Sequence, residues 1–279
     1  MIHSSRQLKA LVRNMSGGDS IKAQIIIRNY VMERFLERLS LSKYRENLII
    51  KGGTLVAAII GLDQRSTLDV DATIKNLQLT EAVARQIVSE IISIKIDDGM
   101  SFEILSIYSI LDDAEYPGIR IILDTFLEQM RTPLKIDFSV GDVITPREIE
   151  YSFRLIFEDR TLSILAYNLE TVLAEKLETL ISRGTTNTRM RDFYDIHVLL
   201  ETQFRNLNNK ILYMAFGNTC KKRGMSLSKE ETDLILDEIS ESYSLIELWS
   251  NYQRKFDYAL DISWDDILVS VKKLIEIVQ

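Results

Sequence analysis

Asp69 and Asp71 are the residues of this chain whose type and spacing point most directly to chemistry. They close the run KGGTLVAAIIGLDQRSTLDVD, residues 51–71, in a stretch that reads as β. Side chains two apart on a strand share a face, so both carboxylates point the same way. Two acids side by side repel unless a hard cation lies between them, and carboxylate oxygens are what Mg²⁺ or Mn²⁺ prefers. Upstream stands a small-residue turn, Gly52-Gly53-Thr54, followed by the apolar run 55–60, which suits a helix. The free N–H groups of such a turn favour a phosphate. A turn for a triphosphate, a short helix and D-x-D on a strand are the ordered parts of nucleotidyl transfer chemistry.

Other residues add to this. Arg65, Ser66 and Thr67 directly precede the acids. In the run 134–140, Leu134, Ile136, Phe138 and Val140 take one face, while Lys135, Asp137 and Ser139 take the other. Asp137 is therefore a third candidate carboxylate, on a neighbouring strand. A second constellation lies at 170–200. Leu173, Leu177 and Leu180 repeat at helical spacing, and Gly184 falls where a helix stop is expected. Lys176 sits one residue off that stripe; Asp192 and Asp195 are i, i+3 neighbours on the next helix, and Arg183, Arg189 and Arg191 crowd the intervening turn. Cations opposite metal-binding acids are what phosphoryl transfer requires.

Blander readings compete. Pairs of surface acids are common in a chain with 41 Asp and Glu. The second constellation also reads as a solvated hairpin in which Lys176 pairs with Glu175 or Glu178, contacts worth little. Arg28, Arg34 and Arg38 read most simply as the wet side of a helix whose apolar side carries Met32, Phe35, Leu36 and Leu39.

Four stretches, in order, resemble the AbiEii/AbiGii toxin family, the nucleotidyltransferase-like proteins of abortive-infection and toxin–antitoxin systems. They are the run 33–40 (ERFLERLS), Lys51-Gly52-Gly53-Thr54, Arg65-x-Thr67-x-Asp69-Val70-Asp71, and Ala174-Glu175-Lys176-Leu177 leading to Arg191-Asp192-Phe193-Tyr194-Asp195. The resemblance implies that Gly53 and Thr54 occupy the nucleotide-binding Gly-Ser position, with Lys51 beside them, and that Asp69 and Asp71 bind metal. It also implies that Lys176 is the essential lysine and that Asp192 or Asp195 is the acid following it. The spacer from Thr54 to Asp69 is longer than the family's usual pattern. The implied cofactor is Mg²⁺ or Mn²⁺, the donor a nucleoside triphosphate with GTP suggested, and the partner a cognate antitoxin.

Composition fits an enzyme of this kind. The 279 residues suffice for one large domain or two moderate ones, and 46% hydrophobic content argues for a packed fold. Cys220 stands alone, so no intrachain disulfide forms and a reducing cytoplasm is the expected compartment. With His3 and His197 as the sole candidate bases, a catalytic thiol is disfavoured, and two histidines make a zinc site implausible. Neither a leader nor 18 uninterrupted apolar residues is seen, so no membrane is expected. Charge is uneven. Residues 1–60 carry ten Lys and Arg against four Asp and Glu, whereas residues 224–279 carry five against twelve. The basic end, with Lys221-Lys222-Arg223, suits RNA; the acidic end suits solubility or a basic partner.

Periodicity predicts a helix over 21–39 opened by Asp19 or Ser20, a strand over 47–50 and a helix over 83–94. Strands are predicted over 102–110, 118–125 and 133–140, with Pro117 and Pro133 at strand starts. From about residue 167 the pattern is helical, with an opening at Ser226 or Ser228 before Glu230 and Glu231 and a last amphipathic helix over 267–277. The expected fold is α/β (α+β): a nucleotidyltransferase-like mixed-sheet domain over 1–165, then a mainly helical domain over 166–279 that completes the active cleft. The expected activity is magnesium-dependent transfer of a nucleoside monophosphate to RNA, by resemblance the 3′ end of tRNA. Asp69, Asp71 and Asp137 would serve the metal, Gly53, Thr54, Lys176 and Arg65 the phosphates, and Asp192 would orient Lys176 or act as base. Transfer onto a protein hydroxyl and a non-catalytic nucleotide- or partner-binding module are the rivals, with a metal-dependent nuclease third.

Overall fold

The computed structural model describes residues 1–67, 69–110, 118–226 and 228–279. Contacts divide the chain into two compact units: Met1–Leu62, Ser66–Gly141 and Glu148–Ala166 form the first, and Asp63–Arg65, Asp142–Arg147 and Tyr167–Gln279 the second.

The first unit holds helices α1 (Ser5–Ser16) and α2 (Ser20–Leu41), strand β1 (Leu48–Ile50), helix α3 (Gly52–Ile60), strand β2 (Asp69–Ile74) and helix α4 (Glu81–Ile92). Strands β3 (Met100–Ile110), β4 (Gly118–Leu127), β5 (Met130–Ser139), β6 (Ile149–Arg154) and β7 (Thr161–Ala166) follow. The seven strands form one mixed sheet in the order β3-β4-β5-β2-β1-β7-β6. The pairs β2–β5 and β1–β7 are parallel; the other neighbours are antiparallel. Alternation explains the faces. In β5, Leu134, Ile136 and Phe138 are buried, and α2 packs against β5 and β7.

Several sequence expectations are met. The Asp19 carboxylate caps α2 by accepting from the N–H groups of Ile21 and Lys22. Pro133, however, lies inside β5, which begins three residues earlier at Met130. Its missing N–H is tolerated because β2 joins β5 from Lys135 onward, leaving β4 as the partner at Pro133. Pro117 lies outside the described residues. Strands β6 and β7 escaped the sequence reading, although Leu162, Ile164 and Ala166 alternate inward along β7.

The reading of Arg34 and Arg38 as solvated charges is overturned. Arg34 is 0% and Arg38 2% exposed. The Arg38 fork donates to both carboxylate oxygens of Asp98, at 2.7 and 2.9 Å, and Arg34 pairs with Glu37 at 2.9 Å and Glu158 at 3.0 Å. Arg160 in turn donates to Glu37. Glu33 accepts from the Asn29 amide at 2.8 Å and the Ile156 N–H at 2.9 Å, and burial pushes its carboxyl up to about 8. These charges recur every three or four residues, as a solvated face does, so spacing could not separate the two cases. What makes them internal is that α2 carries partners all round. Met32, Phe35, Leu36 and Leu39 are buried as well.

The second unit is built from α5 (Leu169–Arg183), α6 (Met190–Gln203), α7 (Asn209–Arg223), α8 (Lys229–Glu241), α9 (Tyr243–Lys255) and α10 (Trp264–Val278). Gly184 ends α5 as expected, and Ser228 opens α8 in a reciprocal capping box with Glu231. Trp249 and Trp264 lie in an aromatic cluster with Phe193, Tyr194 and Tyr252. Arg223 is committed to Glu178 and Thr179, which removes it from any free basic patch at 221–223. Burial, then Glu178, push the Cys220 thiol up to about 12, so it is no nucleophile at neutral pH. No described helix is long and apolar enough to cross a membrane.

Candidate active site

Strand β2 places Asp69 and Asp71 on one face, as their spacing requires. Register sets their neighbours. Asp69 stands beside Lys135 and Asp71 beside Asp137 on parallel β5, while Asp137 stands beside Arg120 on antiparallel β4. One sheet face thus carries three carboxylates and two cations. The Lys135 ammonium lies 2.5 Å from Asp69 Oδ2, and the Arg120 fork donates to both Asp137 oxygens at 2.8 Å.

Among the described residues, Asp71 is not given so close an ion pair. It is reached instead by the first turn of α3, where the Gly53 N–H donates to its Oδ2 at 3.2 Å. The Lys51 cap residue makes no side-chain bond to the helix, so Asp71 serves as the cap from across the turn. Burial first, then the charge of Asp137, push the Asp71 carboxyl up to about 6; Lys51 and the Gly53 N–H oppose the rise. This acid is short of positive charge, which is the condition a bound cation relieves.

Gly52 explains why the turn is glycine-rich. Its φ is +59°, and a Cβ there would stand 2.6 Å from Asp71 Oδ2 and 3.0 Å from Asp71 Cβ. Gly52→Ala is expected to push the turn off Asp71, lowering stability by about 1–3 kcal/mol. Chemical denaturation of the two proteins checks this; equal midpoints would show that the turn and the strand are not in contact.

Thr54 stands differently from the reading of its sequence. Its side chain is 0% exposed, and its hydroxyl donates to the Asp69 carbonyl at 2.7 Å while accepting from the Asp71 N–H at 3.2 Å. With its one proton donated to the strand, Thr54 clasps α3 to β2.

The second unit gathers the other constellation. Lys176 projects from α5 to Asp192 Oδ1 at 2.8 Å and Asp195 Oδ2 at 2.7 Å, both on α6. The pairing of Lys176 with Glu175 or Glu178 is therefore corrected; those two acids face Arg223. Arg65 is 3% exposed and grips Asp195 through Nε at 2.7 Å and Nη2 at 3.2 Å. Arg189 reaches Asp192 Oδ2 at 2.8 Å. The chain Arg65–Asp195–Lys176–Asp192–Arg189 alternates in sign, so each buried charge has an opposite neighbour. Burial would pull the Lys176 ammonium down, but Asp192 and Asp195 outweigh it and hold the group above its ordinary value. Burial likewise opposes ionisation of Asp192 and Asp195, yet Lys176 and Arg65 keep both below the usual carboxylate range, Arg189 adding to the effect at Asp192. Both Asp192 and Asp195 touch Lys176.

Among the described residues no group of three or more His, Cys, Asp or Glu converges as a ready metal site. Arg120 pairs with Asp137 and Lys135 with Asp69. The donor set still fits a hard divalent ion, because Asp69 and Asp71 offer oxygens on one face and Asp71 is electrostatically undersupplied. Arg120 had no place in the sequence reading, and Lys135 was put on the right face but given no task. A cation two residues before Asp137 was the one available signal.

The mixed sheet carries D-x-D beside a glycine turn, and a family comparison gives the class of protein to which the chain belongs. The chain matches the family described as nucleotidyl transferase AbiEii toxin, type IV TA system, over residues 34–270. It belongs to that family, and so to the nucleotidyltransferase toxins of type IV toxin–antitoxin systems. The crystal structure of JHP933 from Helicobacter pylori is similar at 18% identity, with a TM-score of 0.50 and coverage of 91% of this chain and 93% of that one. That likeness speaks for the fold. A crystal structure of a candidate nucleotidyltransferase from H. pylori aligns at 17% identity and a TM-score of 0.49, covering 91% and 96% of the two chains. No curated protein matches the chain significantly. Family membership implies a nucleoside triphosphate substrate, a divalent metal and an antitoxin partner.

Proposed function

We propose that this toxin transfers a nucleoside monophosphate from a nucleoside triphosphate to a hydroxyl of RNA, with the 3′ end of tRNA as the leading acceptor and GTP as the leading donor. The acceptor oxygen forms a bond to the α-phosphorus as its hydroxyl proton passes to solvent, the bond from the α-phosphorus to the α–β bridging oxygen breaks, and pyrophosphate leaves with that oxygen. The observation that carries this reading is Asp71, set beside Asp69 on β2 and directly against the N-terminal turn of α3. Acids and phosphate-binding backbone are thereby held at one place.

Asp69 and Asp71 would hold Mg²⁺ or Mn²⁺, which when bound supplies charge neutralisation at the triphosphate and acidifies the attacking hydroxyl. The α3 turn would receive phosphate oxygens on those of its N–H groups that Asp71 does not take. Lys51, which already lowers the Asp71 carboxyl, adds positive charge at the same turn. Asp137, fixed by Arg120, backs the pair and raises its demand for a cation. Lys176 serves the same reaction with its position fixed by Asp192 and Asp195; Arg65 acts through Asp195, because its guanidinium is buried in that pair. Transfer to the 3′ end of tRNA would block aminoacylation and arrest growth.

The test is incubation with Mg²⁺, each α-³²P nucleoside triphosphate in turn and total bacterial RNA, beside the Asp69→Ala Asp71→Ala protein. Label in a tRNA-sized band, reduced at least about 10³-fold in the variant, is the expected result. Label on protein would move the acceptor to a protein hydroxyl, and shortened RNA without label would replace transfer by cleavage.

A further inference from the structure

We infer that Lys135 is an internal stand-in for the metal: its ammonium neutralises Asp69 in the metal-free protein and passes to the triphosphate when a divalent ion takes that carboxylate. The inference rests on the proposed transfer reaction and gives a task to a residue that reaction has not yet used.

The two cations on the sheet face are held in different ways. Arg120 grips Asp137 with two parallel bonds of 2.8 Å, its side chain 23% and its partner's 18% exposed. Such a fork is rigid and specific in direction. Lys135 makes a single-point contact with Asp69 at the outer edge of the site, the two side chains 31% and 33% exposed. A single ammonium on a four-carbon stem can swing without disturbing the strand that carries it. Arg120 is built to stay, and Lys135 is built to leave.

Charge balance gives the direction of the movement. On the sheet face Asp69 and Asp137 are each paired with a cation of a neighbouring strand, whereas Asp71 takes the Gly53 N–H of the helix turn. A divalent ion on Asp69 and Asp71 balances those two charges by itself. Lys135 then sits against a like charge, and Coulomb repulsion favours its departure. The nearest new anion is the triphosphate that arrives with the metal. Register keeps Lys135 beside Asp69, so the released ammonium remains within reach of the metal's ligands. Metal and triphosphate therefore help each other to bind, because each removes a cost the other would meet alone.

Lys135→Met tests this, since it keeps the stem and removes the charge; Lys135→Gln repeats the test with a polar end. Free Mn²⁺ is counted by electron paramagnetic resonance in titrations of the protein alone. Affinity for the α,β-methylene analogues of ATP and GTP is then measured by calorimetry at saturating Mn²⁺. Both variants are expected to bind Mn²⁺ about tenfold more tightly and the analogue about tenfold more weakly than the wild type, a change of opposite sign in the two ligands. Unchanged or weaker Mn²⁺ binding by proteins with wild-type melting curves would overturn the inference, as would unchanged analogue binding. Asp69→Ala separates this failure from a deeper one. If Asp69→Ala loses Mn²⁺ while the Lys135 variants behave as wild type, only the role of Lys135 falls. If Asp69→Ala binds Mn²⁺ like the wild type, the assignment of the acids falls and takes Lys135 with it.

Discussion

Asp71→Asn yields a protein that is inactive and, above pH 6, more stable than the wild type. Asparagine keeps an oxygen for the Gly53 N–H but carries no charge for a metal, so turnover falls by at least about 10³-fold. Stability moves the other way. The folded Asp71 carboxyl is pushed up to about 6, above its value in the unfolded chain near 4, by burial and by Asp137. A group raised in this way favours folding while it is protonated, and that contribution is lost as pH rises through about 6. The wild type therefore carries an unrelieved ionised acid at pH 8, costing about 2–3 kcal/mol, which the variant lacks. Urea unfolding of both proteins without metal should show the variant ahead at pH 8 and no gap below about pH 4. Saturating Mg²⁺ should raise the wild-type midpoint and leave the variant's unchanged. A variant less stable than wild type at pH 8 would contradict the raised carboxyl.

Lys176→Met has the second large effect, and here function and stability fall together. The substitution leaves Asp192 and Asp195 buried with their central cation removed, though Arg189 and Arg65 remain. Breaking a buried ion network by deleting one member costs about 3–5 kcal/mol, and the two remaining arginines place this case at about 3. Asp192 and Asp195 lie below the usual carboxylate range, so the wild-type advantage is full above about pH 4 and disappears as pH falls further. Transfer should drop about 10²- to 10³-fold. Lys176→Met with Asp192→Asn provides the control: removing the stranded charge returns part of the stability and none of the activity. Recovery of activity in the double variant would make Lys176 a purely structural residue.

How far the sequence could be read depended on whether a feature was local. Asp69 and Asp71 were legible because period two fixes their shared face whatever surrounds the strand. The cap of α2 at Asp19 and the end of α5 at Gly184 were legible for the same reason. Lys176 and its two acids were found through helical spacing, but their partners depend on the packing of α5 against α6, so Glu175 and Glu178 remained equal rivals until the structure separated them. Arg120 was illegible. Its role comes from the antiparallel register that puts it beside Asp137, and nothing in the neighbouring residues encodes register. The bonds of the Thr54 hydroxyl to β2 were not legible, because a hydroxyl after two glycines suits a phosphate and a strand equally well and the sequence does not show its burial.

The enclosed charges of α2 constrain how this chain can drift. Arg34, Arg38, Glu37, Asp98, Glu158 and Arg160 neutralise one another across three separate stretches of sequence. An apolar version of the same interior is conceivable and would fold as well. Every route to it by single substitutions passes through a chain with one uncompensated charge, at about 3–5 kcal/mol in a molecule whose whole margin is about 5–15 kcal/mol. The ionic arrangement is thus locked in by the valleys around it. Its members are expected to change in concert or stay as they are, with no need for any of them to touch the substrate.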